Sequence, residues 1–215
     1  MSHDFQRKTR DTPLWDKNFF QLIEELHTSG KVVIKADELP WNQTELDLIK
    51  EKTSPKNITY TRNEYGDTGE KNPVSYFRLL HPTIPEIHLP ECLSLIRNDK
   101  TKKFLLSLTG LSDFTIDRCQ AHFYQKGDFI ALHNDSKSCP EYLYTVILLL
   151  NDDYVGGEFV MIQGSHTYTL KPEKFSLIVA NSSFSHEVKE INEGVRHAFV
   201  FFLRKSENKI APHHI

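Results

Sequence analysis

The feature that most narrows what this chain can fold into is the rhythm of its second half. From Asp113 onward short β-rich runs recur: Thr115–Tyr124, Phe129–His133, Tyr142–Leu150, Glu158–Ile162, Thr167–Leu170, Ser176–Val179, Ser185–Lys189 and Val195–Leu203. Clusters of Gly, Asn, Asp or Pro separate most of them, and short strands at close spacing read as a sandwich or barrel. The first half is mixed. Phe19, Leu22, Ile23 and Leu26 fall at helical spacing within Asp16–Leu26, with Gly30 as a stop, and Lys31–Lys35 reads as a short strand. Trp41–Lys50 reads as a second helix with Trp41, Leu46 and Ile49 inward, and Cys92–Leu108 as a third. The expected fold class is α+β, a double-stranded β-helix (jelly-roll) core with N-terminal helices packed on one face. Between the helices, Thr53–Pro85 is polar, with strand-like runs Ile58–Tyr60 and Val74–Leu80 joined by Arg62–Asn72. That hairpin reads either as a lid or substrate loop or as a plain surface excursion.

At 215 residues one domain is expected, 1–112 forming a mixed α/β support and lid region and 113–205 the jelly-roll core. No apolar run approaches the roughly 20 residues of a membrane helix. Met1–Arg10 has basic residues with no apolar segment behind them, so no secretory signal is expected. Lys+Arg 26 against Asp+Glu 29 leaves a net charge of −3, and a protein living on phosphate backbones usually carries a basic surplus; nucleic acid is a disfavoured partner. Cys92, Cys119 and Cys139 are odd in number and share no CxxC spacing, which reads as reduced thiols in a cytoplasmic protein.

The chemistry is concentrated late in the chain. His133 and Asp135 lie two apart at a strand end, so on a strand they share a face, as two ligands of one metal would. A strand-end His beside a turn-forming Asp is the plainer alternative. His186, on a later β-run, supplies a possible third ligand, or is a satisfied core histidine. Two His and a carboxylate with open positions suit non-haem Fe(II) better than a closed zinc site. Arg196 heads Arg196–Leu203, a run too apolar for a surface strand. A charge entering such a run needs an anionic partner, and guanidinium is the preferred bidentate clamp for a carboxylate. The competing reading pairs Arg196 with Glu193 at the surface.

These residues sit within a longer pattern. Tyr124-Gln-Lys-Gly127 followed by Phe129–Asp135 resembles the Tyr-x-x-Gly…His-x-Asp segment of prolyl-4-hydroxylase-like Fe(II)/2-oxoglutarate dioxygenases. Leu148–Asn151, Gly156-Gly-Glu-Phe159, Lys171-Pro172, Phe175–Ala180, His186-Glu-Val188 and Gly194-Val-Arg196 resemble the remaining elements in order, over roughly Arg118 to Arg204. The resemblance implies Fe(II) held by His133, Asp135 and His186, and 2-oxoglutarate anchored at its distal carboxylate by Arg196 and Tyr124, with ascorbate as reductant. Where some relatives place a second Tyr before the Leu-Asn, this chain has Leu148 and Leu149, leaving Tyr144 or Thr145 as substitutes. Family members that transfer halide lack the carboxylate that Asp135 supplies, which favours hydroxylation.

The implied activity is oxidation of an unactivated C–H of an amino acid, an amino-acid-like small molecule or a peptidyl residue, with dioxygen consumed and 2-oxoglutarate converted to succinate and CO2. Arg62, Arg78 and Arg118 are candidates for gripping a substrate carboxylate; each is equally readable as a solvated surface charge. His122, His166 and His197 have no ligand spacing, and His197 is expected on the face opposite Arg196. Two other classes stay open: a metal-dependent jelly-roll enzyme that does not use 2-oxoglutarate, and a non-catalytic jelly-roll binding module.

Overall fold

Apolar alternation in the second half resolves into eight core strands. They are β4 (Thr115–Tyr124), β5 (Phe129–His133), β6 (Tyr142–Leu149), β8 (Phe159–Gln163), β9 (His166–Leu170), β10 (Leu177–Asn181), β11 (Ser185–Val188) and β13 (Arg196–Arg204). The computed structural model of the chain describes residues 17–57, 60–65, 77–82 and 89–206, of which 17, 60–65 and 77–82 by backbone alone. Antiparallel pairing runs β10-β6-β13-β4 on one side and β5-β11-β8-β9 on the other, the strand order of a double-stranded β-helix.

Elements of the first half seal this core. β1 (Lys31–Ile34) pairs with β10 and extends one sheet. β3 (Phe77–Pro82), itself paired with β2 (Tyr60–Tyr65), touches both β4 and β5 and closes the gap between the two sheets. Both additions cover strand edges that would otherwise expose unpaired N–H and C=O groups.

Period-two alternation on β13 divides its side chains. Phe199, Phe201 and Leu203 pack with Phe19, Leu26, Leu46, Ile49, Phe104 and Leu108 from α1 (Lys17–Ser29), α2 (Gln43–Lys52) and α4 (Asp99–Thr109), and with Trp41 just ahead of α2. Ala198, Val200 and Phe202 turn inward, with Tyr124, Ile147, Phe159 and Val188. One face is therefore helix-covered core and the other lines the barrel interior. No helix among the described residues is long and apolar enough to cross a membrane.

Three expectations change. Cys92–Leu108 is two helices, α3 (Pro90–Ile96) and α4, because the Asn98 side chain accepts the Thr101 N–H at 2.8 Å and starts a new helix there. β2 and β3 each run further toward the C-terminus than the strand-like runs suggested, and 66–76 lies outside the described residues. A small second sheet, β7 (Tyr154–Gly156) with β12 (Ile191–Gly194), was not anticipated.

Candidate active site

His133 ends β5 and His186 lies on β11, and the two strands pair so that these residues face each other directly. Their rings sit 4.3 Å apart between centroids. Asp135 is not on the strand, as its spacing suggested; it opens α5 (Asp135–Ser138), a single turn capped by the Asn134 side chain. The chain bends there, yet the carboxylate still reaches both rings, at 3.3 Å from His133 Nε2 and 3.2 Å from His186 Nε2. One ligand atom from each of the three residues lies within 4.8 Å of the others.

Backbone carbonyls fix the rings. His133 Nδ1 lies 2.9 Å from the Ala131 carbonyl and His186 Nδ1 lies 3.0 Å from that of Phe184. A carbonyl only accepts, so each Nδ1 carries the proton and each Nε2 presents its lone pair to the shared centre. Thr145 Oγ1 donates to Asp135 Oδ2 at 2.5 Å and contacts Ser182 Oγ at 3.0 Å, which orients the carboxylate. Burial pushes the Asp135 pKa up, but its contacts with the His133 and His186 rings outweigh this and hold the group well below the usual carboxylate range. It is an ionised acceptor wherever the protein works. For His133, burial lowers the pKa and the Asp135 contact outweighs it, leaving the net shift upward.

Deeper in the same cavity lies Arg196, 1% exposed, with Nε and Nη1 buried and without a hydrogen-bond partner. No ion pair to Glu193 or any other acid is found for it among the described residues. An uncompensated buried guanidinium is costly, so its orphaned donors call for an anion. Its carbon lies 4.9 Å from the centre of the Tyr124 ring, and Tyr124 is its strand neighbour in register. Burial raises the Tyr124 pKa to about 12 against the pull of Arg196, so the phenol stays protonated and available as a donor.

A second phenol reaches the guanidinium. Tyr154, on β7, is buried and interacts electrostatically with Arg196; burial raises its pKa while Arg196 opposes the rise. The sequence reading missed Tyr154, which sits on a strand of three residues with no periodic signal. The turn after it needs its glycines. Gly157 has φ +68, and a Cβ there would meet Ile191 Cδ1 at 2.4 Å and Arg196 Cδ at 3.1 Å.

The cavity has a volume of ≈ 210 Å³. Val188, Ile130, Phe159, Ile147, Val200 and Phe202 give it apolar walls; Gln120, His122 and Tyr124, at period two on β4, form a polar stripe. That period places His122 in the site although it lacks ligand spacing. Its Nδ1 lies 3.3 Å from the Tyr124 hydroxyl. Arg118 lines the cavity and is itself exposed, which puts it at the mouth. Arg62 and Arg78 lie on β2 and β3, and their side chains fall outside the described residues. Tyr144 packs toward the helix-covered core, away from the cavity, and Thr145 serves Asp135, so neither replaces the missing phenol. His197 points away from Arg196, stacked on Phe123 at 3.9 Å and bonded to Thr53 Oγ1 at 2.9 Å.

With that geometry in hand, comparison with known proteins is decisive for one stretch of the chain. Residues 119–204 match the 2OG-Fe(II) oxygenase superfamily. The matched superfamily is the one the motifs resemble, and the matched segment contains the three converging side chains, Arg196 and Tyr124. Similar solved structures include an oxidoreductase of the 2OG-Fe(II) oxygenase family from Burkholderia pseudomallei, 24% identical, TM-score 0.73, covering 88% of this chain and 92% of that one. A Pseudomonas putida prolyl-4-hydroxylase is 18% identical, TM-score 0.63, covering 88% and 100%. A Trichoplax adhaerens prolyl hydroxylase, in complex with a hypoxia inducible factor peptide fragment, is 14% identical, TM-score 0.64, covering 87% and 89%. At these identities the likeness is one of fold. No curated protein matches the chain.

Proposed function

We propose that this chain is an Fe(II)- and 2-oxoglutarate-dependent dioxygenase that hydroxylates an unactivated C–H of an amino acid, an amino-acid-like small molecule or a peptidyl residue. His133, Asp135 and His186 would hold the ferrous ion, leaving its remaining positions toward the cavity. Arg196 would take the distal carboxylate of 2-oxoglutarate, with Tyr124 donating to the same group. The observation that carries this reading is the buried guanidinium with two unpartnered nitrogens in the cavity that holds the triad.

When bound, the ferrous ion and 2-oxoglutarate supply dioxygen activation coupled to decarboxylation of the keto acid. The protein's own contribution is positional. The two Nδ1–H···O=C bonds keep the Nε2 lone pairs aimed at one point, and Thr145 holds the carboxylate between them. Arg196 fixes the far end of the cosubstrate, which sets its depth, and its charge counts for most where water is excluded. The apolar walls offer water few partners around the reacting C–H. A metal-dependent jelly-roll enzyme without 2-oxoglutarate, or a binding module, would keep the fold yet give those orphaned donors no purpose.

The test is succinate release from 2-oxoglutarate in the presence of Fe(II) and ascorbate. Wild type releases succinate, and Arg196→Ala loses release while still binding metal. Undiminished turnover in that variant would remove Arg196 from the assignment.

A further inference from the structure

The mouth of the cavity carries an irregularity. β4 and β13 pair in register from Arg196↔Tyr124 to Val200↔Gln120, then the register shifts, and Phe202 pairs with Asp117. One extra residue is inserted in β4 at this point, and within the insertion Arg118 adopts φ 48. A left-handed backbone is uncommon for a non-glycine residue and costs energy, and strand bulges beside active sites re-aim side chains. Here the bulge brings Arg118 to the lining of the cavity, beyond Gln120 and His122 on the same strand.

Chemistry around Arg118 is one-sided. Its guanidinium interacts with the Tyr142 phenol, which itself donates to Asp117 Oδ2 at 3.3 Å. Asp117 is in turn 3.8 Å from Arg204 Nη1. Among the described residues no carboxylate forms an ion pair with Arg118. A guanidinium has five donors, so one contact with a phenol leaves a face suited to a bidentate carboxylate. Inward from it the walls are Ile147, Val200 and Phe202, and the far end is occupied by the Tyr124–Arg196 pair already assigned to 2-oxoglutarate.

We propose that Arg118, positioned by the bulge and by Tyr142 beside it, forms a carboxylate subsite at the cavity mouth, and that the substrate is a free carboxylic acid with an apolar body, entering body first and held by its acid end. This deepens the oxygenase reading and rests on it. It selects a terminal carboxylate over an internal residue of a peptide, because a chain continuing past the acid position would present an amide where the bulge places a cation.

The experiment measures stimulation of succinate formation, over the rate without added substrate, by a panel of free apolar amino acids and medium-chain carboxylic acids. Each is paired with its carboxamide. At least one acid stimulates, and its carboxamide does not. Arg118→Gln then raises the KM for that acid by about tenfold or more, the scale of losing a charge-assisted bidentate pair, with less than about twofold change in the KM for 2-oxoglutarate. Arg118→Lys, which keeps the charge on a slightly shorter side chain, recovers part of the loss, and far-ultraviolet circular dichroism checks that both variants are folded. Carboxamides that stimulate as well as acids, stimulation by capped peptides alone, no stimulation by any acid, or an unchanged KM in Arg118→Gln would each overturn the subsite while leaving the oxygenase reading standing. A wild type that makes no succinate at all takes down both.

Discussion

Arg196 and His197 are neighbours on β13, both buried, on opposite faces of one sheet. They show two different reasons for burying a polar group. His197 is satisfied: Thr53 meets its ring, the Asn151 side chain accepts its backbone N–H at 2.8 Å, and Phe123 stacks on it. Arg196 is not satisfied, since two of its nitrogens lack partners. A polar group paired within the protein binds the α2 end to the sheet and needs nothing more. A charge buried without an anionic partner is a cost that a ligand can offset. The difference teaches that the inner face of β13 is built for something the chain itself does not contain.

That contrast can be broken most strongly at the triad. Asp135→Ala removes the carboxylate that both histidines contact, and succinate formation should fall by about a thousandfold or more, with Fe(II) affinity reduced in parallel. Activity retained within tenfold would mean that the three groups converge for structural reasons, as the satisfied face does.

Arg196→Met comes next, and its sign is the informative part. Without ligand the variant should be as stable as wild type or more stable, because replacing a buried ionic group by a well-packed apolar one is often neutral or stabilising by about 1–4 kcal/mol. Adding 2-oxoglutarate should raise the thermal midpoint of wild type and leave the variant unmoved. A large destabilisation of the unliganded variant would show Arg196 to be a structural ion like many others.

His197→Ala should do the reverse, costing about 2–3 kcal/mol of stability with little effect on the KM for 2-oxoglutarate. pH sharpens the point. Burial, aided by the charge of Lys50, lowers the His197 pKa from 6.5 to about 3. The folded state therefore refuses a proton that the unfolded chain accepts. Stability from this site is complete above pH 6.5 and declines between 6.5 and about 3, by about 1.4 kcal/mol per pH unit. His197→Ala should flatten that decline in urea-unfolding curves; equal slopes in both proteins would reject the assignment.

The smallest effect belongs to Thr145→Val, which keeps the shape and removes the hydroxyl that Asp135 accepts from. Fe(II) affinity should weaken by about tenfold at an unchanged fold. No change would place Asp135 under the control of the histidines alone.

Much of this was legible in the residues. The eight core strands emerge because inward and outward positions alternate on sheets that each have one helix-covered or cavity-lining face, and Arg196 announces itself as a charge at the head of an apolar run. Other parts depend on contacts between distant segments, which local patterning does not encode. β3 closes the barrel between β4 and β5 through pairs far apart in the chain, and Tyr154 reaches Arg196 from a strand too short to show a period. Cys92–Leu108 misled in another way: apolar spacing runs through Arg97 and Asn98, while the cap at Asn98 decides where the second helix begins. The bulge at Arg118 was hidden altogether, since a single inserted residue leaves the β pattern intact on both sides.

The most direct test of the central claim is anaerobic titration with Fe(II) and 2-oxoglutarate, followed by visible absorption. A weak metal-to-ligand charge-transfer band should appear only when both are present. It should vanish in Asp135→Ala, and in Arg196→Met it should require at least about a hundredfold more 2-oxoglutarate. Tight Fe(II) binding with no band at any 2-oxoglutarate concentration, or a band formed equally well by Arg196→Met, would contradict the account.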